Sequence, residues 1–355
     1  MKARSGQSTV ARGKRSPGKP RTPGAPRLAD PAALGPRSGS VLSISQRRFH
    51  RIAYVEWGDP DSEKVALCVH GLTRQGRDFD PLARRLAEKG YRVVCPDLAG
   101  RGLSGRLSDP EEYALPQYCV DMTALIARTG AERVDWIGTS LGGLIGMIVA
   151  AMGGDLVRRL VINDIGPALP WAALRRIGDY LETAPRKFAD LDAAERYFRE
   201  VHAVFGPLTA SQWRHLTEHS VVADASGQYR LRYDPGIANA FRPGRVYNVE
   251  LWNYWDIIHC PTLVLRGEHS DLLLADTARQ MAERGPRAEV VEIPDCGHAP
   301  ALMDRGQIAI VTRWLDRQQP AVSDRVPSTP AGASPSASAP QTSPEEALRR
   351  WRARP

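Results

Sequence analysis

The stretch VDWIGTSLGGLIGMIVAAM, residues 134–152, decides the fold. RVDWIG (133–138) reads as a buried strand and LGGLIGMIVAAM (141–152) as a helix, so Ser140 falls on the turn between them, flanked by Gly138 and Gly142. The pattern Gly-x-Ser-x-Gly is short enough to arise by chance, and its meaning comes from that strand-to-helix context. A turn this tight needs small neighbours. Gly138 and Gly142 let adjacent backbone pass closely, and Gly143 eases packing of the new helix. The hydroxyl then projects from the carboxyl end of a sheet, and the N–H of Leu141 points to the same spot, where it can stabilise an oxyanion.

The chain on both sides repeats this rhythm. VLSISQRRF and RIAYVEWG, ended by GDPDSE, alternate apolar and polar residues as an antiparallel hairpin or pair of edge strands does. KVALCVHG (64–71) and YRVVCPDLAGRGLS (91–104) begin as buried strands, separated by the helical DFDPLARRLAEKG (78–90). LPQYCVDMTALIARTG (115–130) has helical spacing and a closing Gly130, and VRRLVINDIGP (157–167) is again a strand. Strands and helices alternating from 64 to 167 imply right-handed crossovers and a mainly parallel sheet with helices on both faces. Near-continuous Val/Ile/Leu runs suit strands covered on both sides.

Residues 168–256 break the rhythm: they are helix-like, rich in Trp, Tyr, Arg and Glu, and contain no convincing buried strand. The β pattern resumes in CPTLVLRGEHSD (260–271) and AEVVEIPDCGH (288–298), followed by helices over 272–285 and 305–318. One sheet built from 41–167 and 257–318, with 168–256 inserted as a helical cap, is the simplest arrangement. Residues 1–40 read as a disordered basic arm and 319–355 as a low-complexity Pro/Ser/Ala tail.

The formal charge of +8 belongs to the arm, where nine Lys and Arg face Asp30 alone, so the other 315 residues sum to zero. A body without net charge gives no support for binding nucleic acid by counterion release, and no nucleic acid is expected for the core. The arm lacks the apolar run of a secretory signal. No uninterrupted apolar segment reaches the length of a membrane span. Five cysteines without a CxxC pair read as buried, reduced thiols, and a cytoplasmic location is expected.

Serine is a poor nucleophile unless a base, itself held by an acid, activates it. His298 follows the last strand in PDCGHAP, and Asp271 follows the preceding one in RGEHSD. In a parallel sheet both lie at the edge that carries Ser140, giving Ser140, Asp271 and His298 as the catalytic set. Asp164 in INDIGP is the rival acid, after the strand that follows the nucleophile. A second oxyanion donor is expected just past His70-Gly71, at the N–H of Leu72. Asp97 in CPDLAGRG reads as a loop-ordering residue.

With HGLT, DLAGRGLS, GTSLGG, RGEHSD and CGH in this order over about residues 45–318, the chain resembles an α/β-hydrolase with a helical cap. The resemblance implies a cap over the reactive serine that shapes the acyl or alcohol pocket. Haloalkane dehalogenases and soluble epoxide hydrolases have a similar layout with Asp at the nucleophile position, so Ser140 favours acyl chemistry. NDIGP, CPTLVLRGEHSDLL and HGLTRQGRDF are similar to bacterial hydrolases of 3-hydroxybutyrate oligomers and small esters. The implied activity is cofactor-free hydrolysis of a small-molecule carboxylic ester. Lactonase, thioesterase and C–C bond hydrolase activities use the same parts, and a non-catalytic binding protein would ordinarily have lost one of them. Arg74 is a candidate ligand for a substrate carboxylate; its alternative is an ion pair with Asp78 or Asp80. His215 and His219 have helical i,i+4 spacing, but no third ligand is evident and no metal is expected. Oligomeric state is not legible.

Overall fold

The computed structural model describes residues 35–153, 155–242 and 247–318. The 1–34 part of the expected arm and the 319–355 tail lie outside the described residues. Strand β1 (Arg37–Ile44) begins inside the segment assigned to the arm and pairs antiparallel with β2 (Phe49–Trp57). Six further strands complete one sheet: β3 (Val65–Val69), β4 (Arg92–Pro96), β5 (Val134–Thr139), β6 (Val157–Asn163), β7 (Thr262–Gly267) and β8 (Glu289–Ile293). Their order is β1-β2-β4-β3-β5-β6-β7-β8, antiparallel across the first three and parallel from β4 onward.

Strand β3 shows why these apolar runs become central strands. All five of its residues are buried. Val65, Leu67 and Val69 enter one hydrophobic cluster while Ala66 and Cys68 enter the other, as the two-residue period of a strand requires. The first cluster also takes Met122 and Leu125 from helix α2 (Leu115–Thr129) and Ile145 and Met147 from α3 (Leu141–Ala151). The second takes Leu82 and Leu86 from α1 (Asp80–Glu88) and Trp314 from the last helix of the described chain. Gly130 ends α2 with φ +73°, a left-handed backbone that suits glycine. The result is a mixed α/β fold with helices on both faces of a mostly parallel sheet.

Between β6 and β7 the chain forms the helical cap: α4 (Trp171–Thr183), α5 (Leu191–Val201) and α6 (Ala210–Ser220). The Asp190 side chain accepts from Ala193 N, and Thr209 with Gln212 makes a reciprocal capping box, so α5 and α6 begin where their sequences provide caps. The cap also holds two short antiparallel pairs, Val221–Ala223 with Tyr229–Leu231 and Ala168–Leu169 with Val249–Glu250, which the sequence reading did not anticipate. After β7 come α7 (Ala275–Glu283) and, after β8, α8 (Arg305–Arg317). Among the described residues no helix is long and apolar enough to cross a membrane. All five cysteines are unpaired, four of them buried.

Candidate active site

Ser140 links β5 to α3 with φ +51° and ψ −116°, the strained turn that lifts its side chain off the sheet. Its N–H donates to Asn163 O at 2.9 Å, while its carbonyl accepts from Gly143 N at 2.8 Å. The surrounding glycines are sterically required. A Cβ on Gly142 would collide with the Val69 carbonyl, and one on Gly138 with the Gly142 carbonyl. The Trp136 indole N–H donates to that same Gly142 carbonyl at 2.9 Å, fixing the start of α3 from the strand below.

His298 reaches Ser140 from the loop after β8, with its Nε2 2.8 Å from Ser140 Oγ. Its Nδ1 lies 2.8 Å from Asp164 Oδ2. Asp164 immediately follows β6 and adopts φ +57°. Its backbone N–H donates to Leu265 O at 2.8 Å, holding the turn against β7. The fully buried carboxylate also accepts from Gly267 N at 2.7 Å and from Ser270 Oγ at 2.6 Å. It is thus anchored by two donors other than the histidine, and a buried charge needs such partners.

The expected acid, Asp271, is not in this line. It lies four residues past the end of β7, is exposed, and forms a bidentate pair with Arg176 of cap helix α4 at 2.6 and 2.8 Å. The physical reason is the path after Gly267: the chain turns Ser270 inward to Asp164, which leaves Asp271 facing out. Asp164, the rival in the sequence reading, takes the position on His298.

The loop after β3 packs close to the serine, where a Cβ on Gly71 would lie 3.5 Å from Ser140 Cβ. His70 is completely buried; its Nε2 accepts from Leu98 N at 2.9 Å and its Nδ1–H donates to Gly71 O at 2.7 Å. Burial, reinforced by Arg101 and Arg74, lowers its pKa to about 3, so the ring is neutral and serves as a strut between two loops. Asp97 adds to the lacing by accepting from Gly76 N and Leu103 N, each at 2.8 Å. Arg101 donates to the Leu72 carbonyl at 2.8 Å and orients that peptide. Among the described residues no acceptor takes the N–H of Leu72 or of Leu141, which leaves both available to a ligand oxygen.

Arg74 is buried and paired with Asp78, with Nε at 2.6 Å and Nη2 at 2.9 Å from its carboxylate oxygens. The ion-pair alternative therefore describes its contacts, although its Nη1 has no partner among the described residues. His215 and His219 do meet a third group: their ring nitrogens and a carboxylate oxygen of Asp80 on α1 all lie within 4.8 Å of one another. Arg77 already occupies that carboxylate, with its Nε at 2.9 and 2.7 Å. Burial and the nearby Arg77 hold His219 at a pKa of about 4.

This combination of an eight-stranded sheet, a serine on the β5–α3 turn and a histidine after β8 is that of a hydrolase. The chain belongs to the alpha/beta hydrolase fold family, whose family model matches residues 65–303. It is 46% identical over 292 residues to a 3-hydroxybutyrate-oligomer hydrolase of Cupriavidus necator, covering 80% of this chain and 99% of that one. Among solved structures it is similar to a putative hydrolase from Rickettsia typhi, with a TM-score of 0.75 and 32% identity, covering 81% of this chain and 100% of the other. An alpha/beta hydrolase from Novosphingobium aromaticivorans gives a TM-score of 0.71 and 37% identity, with 79% and 98% covered.

Proposed function

We propose that this chain is a cytoplasmic serine hydrolase of small carboxylic esters, working through an acyl-enzyme on Ser140, with short 3-hydroxybutyrate oligomers as its substrate class. The observation that carries the reading is the hydrogen-bonded line from Ser140 Oγ through His298 to Asp164, each link 2.8 Å. Asp164 accepts the Nδ1–H of His298 and so keeps Nε2 free to take the serine proton as Oγ attacks the ester carbonyl. The N–H groups of Leu72 and Leu141 receive the developing oxyanion; losing one such donor costs about 2.7–4 kcal/mol in the barrier. His298 then returns its proton to the departing alkoxide. Water, deprotonated by the same nitrogen, releases the acid and restores Ser140.

The substrate class is supported by the relative from Cupriavidus necator, which aligns along nearly its whole length. Buried, unpaired thiols suit a reducing compartment. The test is a panel of esters of graded acyl length, hydroxybutyrate oligomers, a lactone and a thioester, run on the wild type and on Ser140→Ala. Ester turnover lost in Ser140→Ala is the expected result. Full activity in that variant overturns the mechanism, and a preference for the thioester or lactone overturns the substrate class.

A further inference from the structure

Arg74 is 6% exposed and holds Asp78 with two nitrogens, yet Nη1 is shielded from solvent and has no acceptor. A buried charged donor without an acceptor carries an uncompensated desolvation cost. Arg101, which grips the carbonyl of Leu72, also leaves its Nη2 buried and unpartnered. Two guanidinium groups with spare donors therefore meet at the 72–74 loop, Arg74 from within it and Arg101 through the Leu72 carbonyl. Their positive field is felt by His70, whose proton affinity both arginines lower.

Arg74 lines a small cavity between core and cap, together with Gly71, Thr139, Phe205 and Ala299. A Cβ on Gly71 would lie 3.5 Å from Ser140 Cβ and 3.9 Å from Arg74 Cγ, so Gly71 lies beside both the nucleophile and the aliphatic stem of the arginine. From the cap comes His202, buried and stacked between Phe198 and Phe205 at centroid distances of 5.8 and 4.5 Å. Burial, with Arg74 and His298 nearby, holds its pKa well below the usual value, and its ring makes no hydrogen bond among the described residues. It is a neutral ring stacked on Phe205, which lines the same cavity as Arg74, and near enough to that arginine to feel its charge.

We propose that Arg74 and His202 form a carboxylate-binding subsite beside Ser140, selecting esters whose alcohol fragment ends in a free acid, the 3-acyloxycarboxylates. The inference rests on the ester-hydrolase reading above. In such a substrate the carboxylate carbon lies about 5 Å from the acyl carbon at ordinary bond lengths, so its partner has to come from a loop packed close to the serine, as the Gly71–Arg74 segment is. Asp78 does not consume the site, because it grips one edge of the guanidinium fork and thereby aims the other. A neutral ester leaves Nη1 unpaired, and sites built to hydrogen-bond a substrate group reject analogues lacking it.

The experiment compares kcat/KM for the free-acid dimer of 3-hydroxybutyrate with that for its methyl ester, using the full chain. The wild type is expected to favour the acid at least tenfold, mainly through KM. In Arg74→Gln and in His202→Phe that ratio falls toward one, and Arg74→Lys keeps part of it. An unchanged ratio in both Arg74→Gln and His202→Phe, or a wild-type ratio near one, overturns the subsite. Should Arg74→Gln fail to fold, inhibition of the wild type decides: butyrate is expected to bind at least tenfold tighter than butyramide, and equal binding overturns the proposal. Failure of the underlying reading shows separately, as methyl-ester turnover that survives Ser140→Ala.

Discussion

Replacing Asp164 with Asn removes one charge from a site whose hydrogen bonds dictate the consequence. Gly267 N donates to Oδ1, so the amide oxygen of Asn must take that place and the NH2 group must turn toward Ser270 and His298. There it donates to His298 Nδ1, which drives the ring proton to Nε2. Nε2–H then points at Ser140 Oγ and is unable to accept its proton. In serine proteases this wrong-tautomer state costs about 10⁴ in kcat, or about 5 kcal/mol in barrier height, and a similar loss is expected here. Asp271→Asn breaks only its pair with Arg176, in which both side chains are about half exposed at 49% and 50%. Such pairs are worth about 0.2–1 kcal/mol, so kcat should change less than about threefold. Initial rates on p-nitrophenyl butyrate, with thermal melts to establish that both variants are folded, separate the two. Equal losses in both variants, or wild-type kcat in Asp164→Asn, would refute the assignment.

Three further outcomes follow from the geometry. Gly142→Ala drives a methyl group into the Val69 carbonyl and should yield little folded protein; a soluble variant with wild-type kcat would contradict the elbow packing. Trp136→Phe leaves the buried Gly142 carbonyl without its indole donor and should lower stability by about 1–3 kcal/mol, read from urea denaturation. His70 stays neutral in the fold down to a pKa of about 3, against 6.5 for the free side chain. Below pH 6.5 the unfolded chain therefore binds a proton that the native state refuses, and stability falls as pH drops from 6.5 to 3, by roughly 4–5 kcal/mol in all. Urea midpoints at pH 7 and pH 4.5 should show this loss, with a shallower pH dependence in His70→Gln; equal slopes would remove His70 as its source.

Much of this architecture is written in local pattern. Alternation of short apolar strands with helices of 3.6-residue period specifies a parallel sheet covered on both faces, as the split of the β3 side chains between two clusters illustrates. The helix starts at Asp190 and Thr209 carry their own capping groups. The cap's short strand pairs were not legible, since segments of two or three residues show no periodicity. The early start of β1 at Arg37 was hidden by a composition shared with the basic arm, because its pairing with β2 rests on backbone hydrogen bonds that tolerate Ser and Gly. Nor was the meeting of His215 and His219 with Asp80, which lies on a core helix 135 residues earlier in the chain.

The two candidate acids mark the boundary most sharply. Order along the chain put Asp164 and Asp271 after neighbouring parallel strands, at the sheet edge that carries Ser140, and either was chemically adequate. The signal that separates them is conformational: Asp164 turns at φ +57° directly off β6, while the chain beyond β7 spends Ser270 on that carboxylate and sends Asp271 out to Arg176. The sequence by itself determined the sheet, the serine on its elbow and the histidine after the last strand, because each depends on a local run of residues. Which carboxylate the histidine meets, and which donors Arg74 keeps unpaired beneath the cap, depended on the directions in which loops from distant strands turn, and only the tertiary packing sets those directions.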